Sequence, residues 1–123
     1  MKKFVRFQNA TSSDRGSTVA IDKIVNVEGS ASTDAKIIIY TDVVTHSDSS
    51  PLGMVYEVTL ATAGGANLSA GNKRIAAEDI NNKITDAYTK SWTNPLTIID
   101  KVKIAGELLD VGAVTFNAKY ALP

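Results

Sequence analysis

Apolar residues alternate with polar residues in six segments of the chain, and the period changes only once. The six segments are residues 2–9, 18–28, 35–44, 54–62, 96–104 and 113–120. A period of two places the apolar side chains on one face of a β-strand. Six short strands with short connections favour an antiparallel sheet that bends strongly and curls into a small barrel.

The change of period falls in residues 72–92. There Ala76, Ile80, Ile84 and Tyr88 recur at every fourth residue. This spacing predicts an amphipathic helix of about 20 residues, docked on the sheet through Ile80, Ile84 and Tyr88. The predicted fold class is therefore mainly β (α+β), with one helix.

The alternation also predicts which side chains share a face in two of the strands and where the last turn lies. In residues 18–28 the alternation places Val19, Ile21, Val25 and Val27 on one face. In residues 96–104 it places Leu96, Ile98, Val102 and Ile104 together, with Asp100 among them. Asp110, Val111 and Gly112 are predicted to form the turn before the last strand.

Composition narrows the classes of protein to which the chain can belong. It has 123 residues, a mass of 13.1 kDa and no net charge, which suits one domain spanning residues 1–123. It contains no cysteine and only one histidine, His46, which excludes disulfides, thiolate nucleophiles and iron–sulfur clusters. No apolar run approaches the ~20 residues of a membrane span, and no signal-peptide core follows the first lysines. We therefore expect a cytoplasmic protein with no membrane partner.

Neither catalysis nor a cofactor is indicated by the motifs. Gly64–Lys73 lies between a strand and a helix, but its glycine spacing and the position of its lysine do not match a phosphate-binding loop. Asp42, His46 and Asp48 offer one imidazole and two carboxylates, a set that is more often solvated than metal-bound. We expect a protein that is not an enzyme and has no cofactor and no metal.

Positive charge is concentrated at the N-terminus. Residues 1–16 hold four basic side chains against one acidic side chain, and Phe4 stands between Lys2 and Arg6. An aromatic ring among cations suits single-stranded nucleic acid, although a solvated strand face would show the same pattern. The candidate nucleic-acid-binding residues are Lys2, Lys3, Phe4, Arg6 and Arg15, followed by Lys73 and Arg74 at the start of the helix.

Two parts of the chain carry a resemblance to a known group of proteins. They are FVRFQNATSSDRGSTVAIDKIVNVEGSASTDAKIIIYTD (residues 4–42) and NNKITDAYTKSWTNP (residues 81–95). In the general character of its sequence and in the order of its elements, the chain resembles small β-rich proteins of marine cyanophage origin, known mainly from ocean metagenomes. That group resembles the Sm/LSm proteins in fold, which are strongly bent five-stranded barrels that assemble into rings and mostly bind RNA.

The resemblance has limits that affect the binding residues. Sm proteins have their helix before the first strand, whereas here the helix starts near residue 72. Ala105 stands where the second Sm motif has arginine, so no RNA-contacting residue transfers by position. The resemblance implies an Sm-like module that binds RNA or single-stranded DNA. The alternative is a phage structural, assembly or adaptor protein that makes only protein contacts.

Self-association is expected on two grounds. The segment 35–44 is apolar on both faces, and none of the three prolines lies in a predicted strand, so no proline blocks an edge. Copies joined through unlike surfaces close into a ring when the rotation permits it, and the Sm resemblance implies a cyclic homo-oligomer of about five to seven copies.

Overall fold

The computed structural model describes residues 2–9, 17–31, 34–44, 52–90 and 95–121. The side chains of Lys90 and of residues 117–121 are excepted. The elements are β1 (Phe4–Phe7), β2 (Ser17–Ala20), β3 (Ile24–Gly29), β4 (Lys36–Val44), β5 (Leu52–Ala61), α1 (Ala70–Lys90), β6 (Leu96–Ile99), β7 (Lys101–Ile104) and β8 (Glu107–Ala121).

The strands form two sheets. Five strands in the order β3-β4-β5-β8-β7 make an antiparallel sheet that curls strongly into a half-barrel. Three strands in the order β2-β1-β6 make a smaller sheet, in which β1 is antiparallel to β2 and parallel to β6. The predicted fold class, a strongly bent and mainly β small barrel with one helix, is confirmed, although the alternation gave no sign of the parallel pair.

Helix α1 lies across the open side of the half-barrel. It packs chiefly against β3 and β7, which are the two outer strands of the five-stranded sheet. The Asp79 carboxylate accepts a hydrogen bond of 2.9 Å from the backbone N–H of Lys103 on β7, and the Lys83 ammonium donates to the same carboxylate. The helix therefore contacts β7, an edge strand of the kind that was expected to pair with another copy of the chain.

The core joins both sheets and the helix in one cluster of buried apolar side chains. Its members include Val5, Phe7, Ile37, Ile39, Val58, Ala76, Ile80, Ile84, Ile99, Val102 and Val111. Docking through Ile80 and Ile84 is confirmed, but docking through Tyr88 is wrong because Tyr88 is 64% exposed. A step of four residues exceeds a full turn by about 40°, so Tyr88 lies about 120° around the helix from Ala76.

The predicted strand 18–28 is interrupted where the chain passes from one sheet to the other. A short 3-10 turn, Ile21–Lys23, separates β2 from β3, and the pairing of β3 with β4 shifts between Ile24 and Asn26. The turn and the shift change which side chains face inward. Val27 is buried, whereas Val25 is exposed, so the predicted shared face is wrong at Val25.

A second change of sheet occurs at Asp100. Before it β6 pairs with β1, and after it β7 pairs with β8. The break shifts the alternation by one residue, which buries Ile99 and leaves Ile98 50% exposed. The predicted grouping of Ile98 with Val102 is therefore wrong.

The turn before the last strand lies earlier than predicted. β7 and β8 are joined at Ala105–Gly106, where both residues have positive φ angles, 51° and 86°. Residues 110–112 lie inside β8, where the pairing with β5 shifts between Val58 and Leu60. The Asp-Val-Gly sequence thus marks a bulge within a long strand rather than a turn.

Candidate nucleic-acid interface

Strand β1 presents two of the predicted residues on the face opposite to the core. Val5 and Phe7 are fully buried, while Phe4 and Arg6 are partly exposed on the other face, as the alternation predicts. The Arg6 Nε donates a 2.9 Å hydrogen bond to Thr18 Oγ1 on β2. Because β1 is the central strand of its sheet, Phe4 and Arg6 stand on a sheet face and not at an edge.

Lys3 is held at the C-terminal end of α1. Its Nζ donates a 2.5 Å hydrogen bond to the carbonyl oxygen of Tyr88, and it lies 5.9 Å from the centroid of the Tyr88 ring. A cation at this end of a helix satisfies a carbonyl that lacks an intrahelical partner and complements the helix dipole. Lys3 therefore joins the N-terminal segment to the helix and places a positive charge over an exposed aromatic ring.

Lys73 lies in the interior rather than on the predicted surface. Its side chain is 3% exposed, and its Nζ donates to the carbonyl oxygen of Ser30 at 2.8 Å and to Ser30 Oγ at 3.2 Å. Lys73 lies on the buried face of α1 with Ala77 and Ile80. Its position at the start of the helix in the sequence did not indicate this burial. The ammonium already donates to Ser30, so a phosphate would have to displace these hydrogen bonds to bind it.

Arg74 does not join the N-terminal lysines either. Arg74 is exposed near the start of α1, where it borders a pocket of about 210 Å³ together with Glu28 and Glu78. With a helical rise of 1.5 Å per residue, it stands about 21 Å along the axis from Tyr88. Arg15 lies outside the described residues.

A groove runs between β3 and the C-terminal half of α1, and we call it the Tyr88 groove. It consists of two adjoining pockets, of about 400 and 290 Å³, which both include Ile21 and Tyr88 in their lining. Lys2, Lys3 and Asp22 line the larger pocket, the basic end. The groove therefore brings together two of the predicted lysines and an aromatic ring that the sequence had assigned to the core.

The smaller pocket, the apolar end, has a different chemistry. Ile21, Ile24 and Ile84 supply its apolar lining, and Val25 is exposed beside them. Its polar groups are the side chains of Asn26 on β3 and of Asn81 and Thr85 on α1. Its volume is close to the lower end of the ~300–1,000 Å³ that is usual for small-molecule sites.

Positive charge dominates the basic end. Two ammonium groups, on Lys2 and Lys3, face one carboxylate, on Asp22. Lys2 is exposed and makes no hydrogen bond or ion pair with any residue that the structure describes. A phosphate can therefore approach Lys2 without displacing a protein partner, whereas Lys3 already donates to the helix.

A pocket of opposite charge lies on the other face of the five-stranded sheet. It measures about 490 Å³ and includes the carboxyl groups of Glu28, Asp34 and Glu57, with Lys36 and Tyr40. The Tyr40 hydroxyl donates to Glu28 Oε1 at 2.7 Å. Phosphate is disfavoured there, so this face supplies a control for tests of the groove.

Within residues 2–9, 17–31, 34–44, 52–90 and 95–121, no three histidine, aspartate or glutamate side chains cluster as metal ligands would. Asp42 lies 3.9 Å from the Lys23 ammonium, and His46 and Asp48 fall outside these ranges. The described part of the chain contains no helix both long and apolar enough to cross a bilayer.

Comparison with protein-family models, curated proteins and solved structures finds no match for the chain.

Proposed function

We propose that the chain is a non-enzymatic module that binds single-stranded RNA or DNA in the Tyr88 groove. The observation that carries this proposal is the position of the exposed Tyr88 ring between the two lysines of the basic end and the apolar end. Proteins that bind single strands combine cations that meet the phosphates with aromatic rings on which bases stack. The Tyr88 groove offers both within one continuous surface.

The local charge supports this use although the whole chain is neutral. Lys2 and Lys3 allow about two phosphate contacts, so the logarithm of the binding constant should fall with the logarithm of salt with a slope of about −1.4. Such a slope is small, which suits one protein chain that contacts only a short stretch of the nucleic acid. An assembly that presents several grooves to one strand would add further contacts and steepen the slope.

The experiment is a fluorescence-anisotropy titration with labelled single strands of about 12 nucleotides, DNA and RNA in parallel, across a range of salt. Lys2→Gln should weaken binding and make the slope less negative by about 0.7, because one phosphate contact is lost. Lys36→Gln removes the same charge from the acidic face and should bind as the wild type does. The proposal is wrong if the wild type does not bind at low salt, or if the two variants behave alike.

A second candidate function is that of a phage structural, assembly or adaptor protein that makes only protein contacts, including contacts between copies of itself. It is favoured by exposed apolar side chains on β4 and β8, two strands in the middle of the five-stranded sheet. Val43 and Val44 at the end of β4 are each 39% exposed, and Phe116 on β8 is 42% exposed against the ring of Tyr56, 4.5 Å away. Apolar surface of this kind marks protein contacts when it forms a contiguous patch.

Sedimentation velocity at micromolar concentration tests this second candidate. A ring of about five to seven copies should sediment far faster than the 13.1 kDa monomer. Phe116→Glu should then shift the protein toward the monomer, whereas Leu108→Glu, at the far end of β8, should not. A wild type that sediments as a monomer would exclude the ring.

A further inference from the structure

We infer that the apolar end of the Tyr88 groove is a slot for one unpaired nucleobase and that it distinguishes among bases. This inference rests on the proposed single-strand binding and adds which part of the nucleic acid each end receives. The base would stack on Tyr88 and enter between β3 and α1, while the adjoining phosphates would lie at Lys2 and Lys3.

The apolar end suits the faces of a flat ring. Ile21 and Ile84 are buried and contribute apolar surface at its base, and Tyr88 and Val25 are exposed beside them. A nucleobase has two apolar faces, and stacking on an aromatic side chain contributes to binding for every base. A phosphate or a carboxylate would find no cation at this end, because Lys2 and Lys3 both line the other one.

The two amides suit the edge of a base. Asn26 extends from β3 and Asn81 from α1, so the amides approach the slot from two different elements. Neither side chain makes a hydrogen bond with the described part of the chain. Each amide offers a donor and an acceptor, the combination that recognises base edges in splayed-out single strands. Stacking alone tolerates any base, so discrimination would come from these amides.

The basic end fixes the direction in which the strand enters. The Lys3 Nζ lies over the Tyr88 ring, 5.9 Å from its centroid, so the nearest cation adjoins the ring on which the base would stack. A nucleotide with its base on Tyr88 can therefore direct its phosphate toward Lys2 and Lys3. An extended peptide along β3 would need acidic side chains to meet the lysines, whereas a nucleotide brings a phosphate with every base.

The experiment uses the same titration with homopolymers of dA, dC and dT and with a strand whose central positions are abasic. Tyr88→Ala should lower affinity about 5- to 150-fold, whereas Tyr88→Phe should keep most of it. Asn81→Ala should reduce the differences among homopolymers without changing the salt slope. Asn82→Ala, the adjacent exposed asparagine that does not line the groove, should behave as the wild type.

The outcomes separate this inference from the proposal beneath it. If the wild type binds single strands with the expected salt slope but Tyr88→Ala binds equally well, the slot is wrong and the proposed function stands. Equal affinity of the wild type for all homopolymers would likewise overturn the slot. Absence of any binding by the wild type would overturn both. Because Tyr88 and Asn81 are exposed, unchanged melting temperatures should show that the variants are folded.

Discussion

Gly29 and Lys73 approach each other so closely that a methyl group at Gly29 would lie 2.6 Å from the Lys73 Cβ. The contact lies where α1 crosses the end of β3, and Lys73 continues past it to donate to Ser30. The strand and the helix can meet at this point only because residue 29 has no side chain. From the same point toward Tyr88, the space between the two elements contains the apolar end of the groove.

Gly29→Ala should destabilise the fold by about 1–3 kcal/mol, because the added carbon forces the helix away from β3. Gly71→Ala is the matched control. Its added carbon would meet only Ser69 Oγ at 4.0 Å, and alanine is a better helix former, so it should stabilise by up to about 1 kcal/mol. Urea unfolding of both variants measures these changes, and equal effects would contradict the close approach.

Lys73→Met should lower the free energy of unfolding by about 1–3 kcal/mol. The substitution keeps the apolar stem and removes the donor to the Ser30 carbonyl. It should leave the salt slope of nucleic-acid binding unchanged, because Lys73 donates to Ser30 and does not line the Tyr88 groove. A slope that falls with this variant would return Lys73 to the binding site.

Ile84→Asp should cost several kcal/mol, since it places an unpaired carboxylate against the core. Ile84 is buried on α1, whereas Ile75 is 38% exposed on the same helix. Ile75→Asp introduces the same charge at a position with access to water and should cost much less. Thermal unfolding followed by circular dichroism compares the two, and similar losses would mean that α1 is docked differently.

Ala105→Asn should stabilise the β7–β8 hairpin by about 0.5–1 kcal/mol. Ala105 has a φ of 51°, a conformation that alanine adopts at a cost and that asparagine tolerates in two-residue turns. Gly106→Ala should have the opposite sign, because φ at Gly106 is 86°. Chemical denaturation measures both, and a loss of stability with Ala105→Asn would contradict the turn.

Tyr56 gives the stability a dependence on alkaline pH. Burial raises the pKa of its hydroxyl above the ordinary value of 10.0. The folded state therefore holds the phenol proton more tightly than the unfolded state, so stability is fully present below about pH 10 and falls as pH rises through the folded pKa. Tyr56→Phe should make the decline above about pH 10 shallower in urea titrations. An identical decline in wild type and variant would show that Tyr56 does not contribute.

Patterns confined to one element could be predicted from the sequence. The alternation in β1 correctly separated Val5 and Phe7 from Phe4 and Arg6, and the helical period located α1 and its contacts through Ile80 and Ile84. In each case the side chains that share a face are set by the period of the backbone alone. The predicted facing of these residues therefore did not depend on which strands are neighbours.

Features that depend on distant parts of the chain could not be predicted. Nothing near Asp100 in the sequence shows that the chain passes from one sheet to the other there. The alternation therefore placed Ile98 with the core residues, whereas the structure buries Ile99 instead. Lys73 is buried because Gly29, 44 positions earlier, has no side chain and leaves room for the Lys73 Cβ. The Tyr88 groove needs α1 beside β3 and the N-terminal lysines at the helix end, and these are long-range arrangements.

The most direct test of the account is an NMR titration of the ¹⁵N-labelled protein with a short single-stranded oligonucleotide. If single strands bind in the Tyr88 groove, the largest chemical-shift changes will fall on Lys2, Lys3, the stretch 21–26 and the stretch 81–88, with the Asn26 and Asn81 side-chain amides among them. Changes concentrated at Phe4, Arg6 and Ile98, or at Arg74, would place the binding elsewhere. Spectra that do not change would contradict single-strand binding altogether.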